Sequence, residues 1–567
     1  MAAQMGSLAE LGLFWAAMAF VVAPGLFWGG ILFPRRDALE RAVLGISFSL
    51  AAWIYGGFLL SYFSLRPVLP AGGAFALAGA FLWWRIRASR AIFARPDAIS
   101  IALAIALLIT ALSRFGITFV HLLPPGKDPS FHLILVEKIV LAGRQITDWR
   151  PFEDVSLNYP IGTHVFMAEL SRVTRLPPTA IFKWLSAFVG VLSVAQTYVF
   201  TLSLFRSRPV ALWASVAFGW WAMLGSVDYY AWGGLPNLLA LGLFVSAFTL
   251  MLPQANRPCP AWIPGFFLAA VCFAHHHVTL TAVLILGGLV FLAPKPVFRV
   301  LFWWLVLGGV YLVPYVLRAV TIGGTGALQD LDPVFDFARI FFLVGPLYLA
   351  SLAGGGWLLR RTEPSEAVRW WLVTIVVLIV AFLFTDYGVR AVSLAFAGRE
   401  IAPLVPSRFL TDWIMIAAPL AGLSIDGLLS RTRIRIFPML SLAFILAFST
   451  YPEWVRLNRM RTNEPYWEAL RWIREHTPPD TLVFNRGSWC VYGSWRRCLE
   501  SPMPSSEPLT LGTPKQRMFW EITHGRVPEE AGAVTWVGIW RTQDVRGRWP
   551  ILWSHPEGAS VVRFHGP

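Results

Sequence analysis

Along the first 450 positions, apolar runs of about 17 to 25 residues alternate with short polar connectors, the length a helix needs to cross about 30 Å of hydrocarbon. The pattern predicts an all-α polytopic membrane domain over residues 1–450. About fourteen transmembrane helices fit, provided residues 262–293 form two short helices meeting near His275. The first run, Leu8 to Phe33, is long and ends at Arg35 and Arg36, as a retained helix does and a cleaved signal peptide does not. Past Thr450 the pattern changes. Residues 451–567 mix charge, Pro and Trp without a run long enough to span, which predicts a small C-terminal α+β domain outside the membrane. Within it, EPYWEALRWIREHTPPDTLVF begins as an amphipathic helix with Trp467, Leu470, Trp472 and Ile473 at helical spacing. It then passes through Pro478 and Pro479 into an apolar strand.

One polar stretch breaks the membrane pattern. Residues 121–178 carry GKDPSFH and NYPIGTH between spans, in a chain that is 56% hydrophobic and only 14% charged. A segment that costs so much polarity reads as the active-site loop.

The formal net charge of +15 suggests nucleic acid until the cations are placed. Arg35, Arg36 and Arg41, Arg85 to Arg95, Arg206 and Arg208, Arg257, Lys295 and Arg299, Arg360, Arg361 and Arg369, and Arg431 to Arg435 fall in short connectors on one side. By the positive-inside rule that side is cytoplasmic, with both termini outside. Basic and aromatic residues do not alternate on a soluble module, so nucleic acid is not an expected partner. The loop 121–178, the turn Asp228 to Pro236, the turn His275 to His277, the stretches Thr321 to Asp336 and Asp386 to Arg408, and the tail then share the outer face. The expected location is the cytoplasmic (inner) membrane, multi-pass, with the tail outside.

The candidate chemistry lies on that face. Asp128 precedes Pro129 at the start of a helix, where a carboxylate caps backbone N–H groups; His132, four residues on, lies on the same helical face. Such a pair can bind a metal, take a proton from a hydroxyl, or simply pair. Trp149, Glu153 and Asp154 precede an extended Asn158-Tyr159 before Pro160, and His164 follows on a new surface helix. Asp228, Tyr229, Tyr230 and Trp232 form an acidic and aromatic turn suited to a sugar ring or a lipid headgroup. His275, His276 and His277 point in different directions on a helix and make a weak metal signal. Arg408 stands at the mouth of a span, where its fork suits a phosphate or serves as an interfacial anchor. Cys490 and Cys498 bracket a Trp-rich segment of the tail; in an oxidising compartment they can close a hairpin, and otherwise they are two thiols.

These residues resemble a family. Asp128-Pro129-x-Phe131 opening a helix, followed by Tyr159-Pro160-x-Gly162, is similar to the first external loop of the oligosaccharyltransferase catalytic subunit and, more broadly, of GT-C glycosyltransferases. The tail's SWCVYG is similar to the family's Trp-Trp-Asp-Tyr-Gly segment, retaining Trp489, Tyr492 and Gly493, with Val491 where the peptide-reading Asp stands. The resemblance therefore implies a GT-C-like fold and argues against protein N-glycosylation. It implies transfer of a sugar from a polyprenyl-phosphate donor to a lipid or glycan acceptor. Asp128 would act as general base or metal ligand, His132 and His164 would assist, and Tyr159, Asp228, Tyr229, Tyr230, Trp232 and Arg408 would bind substrate. A divalent ion, Mg or Mn, is the cofactor the family's two acids would hold. The second of them falls on Tyr230, so the resemblance implies a metal-independent inverting transfer. Two other classes remain open: a transporter or flippase of lipid-linked saccharides, which needs polar groups near the midplane, and a non-enzymatic membrane subunit.

Overall fold

The computed structural model describes residues 2–86, 97–121, 123–124, 128–150, 152, 157, 159–221, 229, 233–253, 259–321, 346–361, 363–388, 395, 406–431, 464–484, 489–498, 536–541, 550–556 and 559–565. The membrane part opens with α1 (Ala2–Leu32), α2 (Ala38–Ser61), α3 (Val68–Ile86) and α4 (Ala98–Val120). Two loop helices follow, α5 (Asp128–Ala142) and α6 (Gly162–Thr174), then α7 (Pro178–Phe205), α8 (Arg208–Val216) and α9 (Leu235–Met251). The bundle continues with α10 (Trp262–Ala274), α11 (His276–Val290), α12 (Pro294–Thr321), α13 (Pro346–Leu359), α14 (Glu366–Leu383) and α15 (Pro406–Arg431). Among the described residues, six helices are long and apolar enough to cross a membrane.

Local signals set the helix starts. Asp37 and Glu40 close a reciprocal capping box on α2, and Asp97, Ser207 and Ser365 cap α4, α8 and α14. Packing then depends on small residues, because lipid tails are as apolar as Leu and helices gain by close approach. A Cβ on Gly45 would lie 2.1 Å from the Gly25 carbonyl oxygen, so α1 and α2 touch backbone to backbone. Deeper in the bundle, Gln196 Nε2 on α7 donates to Ser47 Oγ at 2.9 Å and lies 3.4 Å from Ser246 Oγ, joining α2, α7 and α9.

The two short helices expected between 262 and 293 are present as α10 and α11, of 13 and 15 residues, with His275 extended between them (φ −161°, ψ 126°). Gly265 lies against Trp303 and Gly308 against Ala269, so α10 and α12 run parallel and α11 runs back between them. Thirteen residues make only about 20 Å of helix. Each arm of this hairpin is therefore shorter than the span of about 30 Å that a full crossing needs, and the three histidines lie at its apex.

Arg36, Arg206 and Arg208, three of the cations in the short connectors, come together at one end. Arg36 Nη1 reaches Ser203 Oγ at 3.0 Å, Arg208 pairs with Asp97 at 2.6 Å, and a cleft of about 450 Å³ is lined by Ser203, Arg206, Pro253, Leu359, Ser365 and Val368. The tail contributes α16 (Glu464–His476), β1 (Leu482–Phe484), α17 (Trp489–Ser494), β2 (Arg497–Cys498), β3 (Trp536–Arg541), β4 (Ile551–Ser554) and β5 (Ala559–His565). The strands form one sheet in the order β2-β1-β3-β5-β4, parallel on the β2-β1-β3 side and antiparallel on the β3-β5-β4 side. Of the apolar face expected on α16, Leu470 and Ile473 are buried and Trp467 and Trp472 half-buried, with Ala469 buried beside them.

Candidate active site

The first turn of α5 is set by what it meets. Gly233 adopts φ +89°, and a Cβ there would lie 2.2 Å from Cδ of Pro129, so only glycine lets the turn before α9 close on the start of the helix that carries Asp128. The helix begins at Asp128 itself, and the residue is half-buried. One turn later His132 is buried, and its Nδ1 faces Nε2 of His164, 32 positions away, at 2.9 Å. Hydrogen bonding between two ring nitrogens requires one proton between them, so the two imidazoles cannot both be doubly protonated. Burial pushes His164 down to about 3, which keeps it neutral. Its Nδ1 is buried without a hydrogen-bond partner among the described residues.

Both loop helices were expected to lie on the membrane surface, with His164 interfacial. The structure corrects this. His164 is fully enclosed and every residue from Gly162 to Ser171 is buried. The cause is close packing: a Cβ on Gly162 would meet the Phe273 carbonyl oxygen at 2.7 Å, so α6 starts wedged beneath the hairpin apex, and Phe166 packs on Trp53 of α2.

Tyr159 is the hub of the cluster. Its half-buried ring lies 5.6 Å from His164, 6.0 Å from His132, 6.0 Å from His275 and 5.2 Å from His276, with Phe131 at 5.5 Å. The loop and the hairpin apex, more than 100 positions apart in sequence, thus share one aromatic box.

A buried acid completes this end of the bundle, and sequence reasoning missed it. Asp412 of α15 is fully enclosed; Oδ1 accepts from the Tyr229 hydroxyl at 3.0 Å, Oδ2 accepts from Thr281 at 2.8 Å, and Nε2 of His277 stands 3.5 Å away. The signal was present, because an acid inside an apolar run seldom survives unless partners await it. Tyr229, expected to stack on a sugar, is 1% exposed and holds Asp412 instead. Arg408 lies in the first turn of the same helix, four residues before Asp412, and its side chain is outside the description. Asp228, Tyr230, Trp232, Glu153 and Asp154 also lie outside the described residues.

The tail grips the far half of α5. Arg474 of α16 pairs with Glu137, Phe152 meets Trp495 edge-on at 5.0 Å, and α17, the helix with the SWCVYG residues, lies against α5. Burial, and then the charge of Glu137, hold the Tyr492 hydroxyl well above its ordinary range. Cys490 is disulfide-bonded, and of the chain's four cysteines Cys259 and Cys272 are free. Among the described residues no three His, Cys, Asp or Glu side chains are grouped to hold a metal ion. Asp228, the acid that would join Asp128 around a divalent ion, lies outside the described residues.

A bundle of apolar helices that carries an acid-bearing loop helix and a buried aromatic and imidazole box at one end has the fold of the GT-C membrane glycosyltransferases. No family model matches the chain. In structure it is similar to the oligosaccharyltransferase of Archaeoglobus fulgidus tethered with an acceptor peptide containing the NVT sequon. The TM-score is 0.52 at 14% identity, covering 79% of this chain and 70% of that one. It is likewise similar to ArnT from Cupriavidus metallidurans bound to undecaprenyl phosphate, with TM-score 0.51 and 12% identity, covering 84% of this chain and all of that one (100%). In sequence it is 28% identical over 142 residues to the dolichyl-phosphooligosaccharide-protein glycotransferase 2 of Archaeoglobus fulgidus. That stretch covers 22% of this chain and 23% of the relative, so the match spans under a quarter of the relative's length.

Proposed function

We propose that the chain transfers a sugar from a polyprenyl-phosphate-linked donor to a lipid or glycan acceptor on the outer face of the cytoplasmic membrane. One observation carries the reading: within a GT-C-like fold, His132, one turn after Asp128 on α5, joins Tyr159 and His164 in a box with the hairpin residues His275 and His276, at the end of the bundle opposite the Arg36–Glu40 pair. ArnT, solved with undecaprenyl phosphate, supports a lipid phosphate as the donor's handle.

In this reading Asp128 takes the proton of an acceptor hydroxyl as the hydroxyl oxygen bonds the sugar and the phosphate leaves, and His132, held by its hydrogen bond to His164, assists from the next turn of α5. Arg408, in the first turn of α15, offsets charge growing on the leaving phosphate as the glycosidic bond breaks. Asp228, Tyr230 and Trp232, in the sequence leading to Gly233, are assigned to the sugar pocket. Val491 in the SWCVYG helix leaves no acid to read a peptide, which points to a non-protein acceptor. Residues 451–567 form the extracytoplasmic α+β unit that covers the acceptor side, while the membrane helices bring the span count to about fourteen by hydrophobic length.

Among the bundle's interior polar groups, Gln196, Ser47 and Ser246 bond one another. They stitch helices together, as expected of a scaffold rather than of a transport path. The test compares membranes carrying wild type and Asp128→Asn for transfer from a set of radiolabelled polyprenyl-phosphate sugars. Transfer by wild type alone supports the reading. Equal transfer by both removes Asp128 from the reaction, and no transfer by either removes the donor class.

A further inference from the structure

We propose that Asp412 is a positioning residue for this transfer: its enclosed carboxylate locks the turn after Asp228 and the hairpin apex onto the helix whose first turn carries Arg408. The inference rests on the reading above and adds to it the device that holds the two halves of the substrate pocket in register.

The geometry supplies two hydroxyl hydrogen bonds and one close imidazole. Tyr229, the residue after Asp228, donates its hydroxyl to Oδ1 at 3.0 Å. Thr281, one turn below the apex histidines on α11, donates to Oδ2 at 2.8 Å. His277 brings Nε2 within 3.5 Å of the same Oδ2, while its ring packs on Phe409 at 4.5 Å between centroids. The two hydroxyl donors come from the turn before α9 and from α11, which also brings the His277 ring; the acceptor comes from α15. Each oxygen is thereby used by a different segment, and neither segment can shift without uncovering part of an enclosed carboxylate. Leaving such a group unmatched is among the costlier events in a protein interior.

The carboxylate rather than a neutral amide matters for counting reasons. Aspartate is acceptor-only and serves both hydroxyls at once, whereas asparagine offers one oxygen and two N–H donors. In Asp412→Asn one of Tyr229 and Thr281 therefore loses its acceptor with almost no change in volume. The segment it fastens is then free to drift by a fraction of an ångström, and catalytic groups are sensitive to misplacement on that scale.

Three variants, Asp412→Asn, Thr281→Val and Tyr229→Phe, are purified in detergent beside wild type, their folding checked by thermal unfolding. Initial rates are measured with a polyprenyl-phosphate sugar donor that wild type uses, and undecaprenyl phosphate serves as the binding probe. The expected result is a fall in kcat of about 10- to 100-fold for Asp412→Asn with the donor KM and the binding of undecaprenyl phosphate unchanged, and smaller falls for the two hydroxyl variants. Combining either hydroxyl variant with Asp412→Asn should add little, because all three act through one network. A kcat for Asp412→Asn within twofold of wild type overturns the inference. A loss of undecaprenyl phosphate binding matching the loss of rate also overturns it, since that assigns Asp412 to the binding surface. If Asp412→Asn does not fold, the decision passes to Thr281→Val and Tyr229→Phe, where wild-type kcat in both overturns it. No transfer by wild type from any polyprenyl-phosphate donor is a separate outcome, which removes the proposed reaction and this role together.

Discussion

The two ends of the bundle handle buried polarity in opposite ways. At the cation-rich end Arg36 meets Glu40 at 3.0 Å, one helical turn away, with both side chains almost fully enclosed, and Asp37 closes the cap with the same Glu40. At the other end the enclosed groups are a pair of imidazoles 32 positions apart and a carboxylate served by a tyrosine 183 and a threonine 131 positions away. Near-neighbour pairing stabilises a helix start whether or not the rest of the bundle has formed. Long-range assembly exists only in the closed bundle, and there it can hold groups in an arrangement that chemistry requires. The contrast separates polarity that serves folding from polarity that serves a site.

The sharpest break of that contrast is Asp128→Asn. Removing a general base should lower transfer by about 10²- to 10⁴-fold while leaving thermal unfolding in detergent near wild type. Arg36→Met should do the reverse. It removes the cation 3.0 Å from the enclosed Glu40 and should cost about 3 to 5 kcal/mol of stability, read by thermal or denaturant unfolding, with the rate per folded molecule unchanged.

A pH experiment sharpens the same comparison. His164 is pushed down to about 3 by burial, so its folded value lies below the ordinary imidazole value of about 6.5. Between those two values the unfolded chain binds more protons than the folded one, and stability therefore rises with pH there. The melting temperature should fall as the pH drops from about 6.5 toward 4, and His164→Gln should flatten that slope. A slope unchanged in the variant would assign the pH dependence to other groups. The smallest effect belongs to Arg208 and Asp97, whose side chains are 45% and 48% exposed. Arg208→Ala should change stability by no more than about 1 kcal/mol, an effect that added salt should diminish further.

Several elements were readable from the chain. The hairpin around His275 followed from run length, the helix at Glu464–His476 and the strand after Pro478 and Pro479 from periodicity, and Asp128 as the opening of a helix from its place before Pro129. The loop helices were read as lying on the surface because their polarity was averaged along the chain. Gly162 shows what averaging hides: a residue without a side chain lets α6 slip under the hairpin and encloses His164. Asp412 stands out as an acid in an apolar run, but its donors, 183 and 131 positions away, leave no local trace of what it holds.

What the amino-acid order determined by itself was whatever depends on neighbours within a turn or a span: hydrophobic length, helix caps, the clustering of cations in alternate connectors, and the candidate acid at 128. Only the tertiary structure decided which imidazole faces which, that Tyr229 supports a carboxylate, and that the tail's SWCVYG helix rests on α5. The physical reason is range. Capping and hydrophobic transfer act over a few residues and leave a periodic trace, whereas a hydrogen bond between positions 229 and 412 leaves none and appears only when the helices have closed.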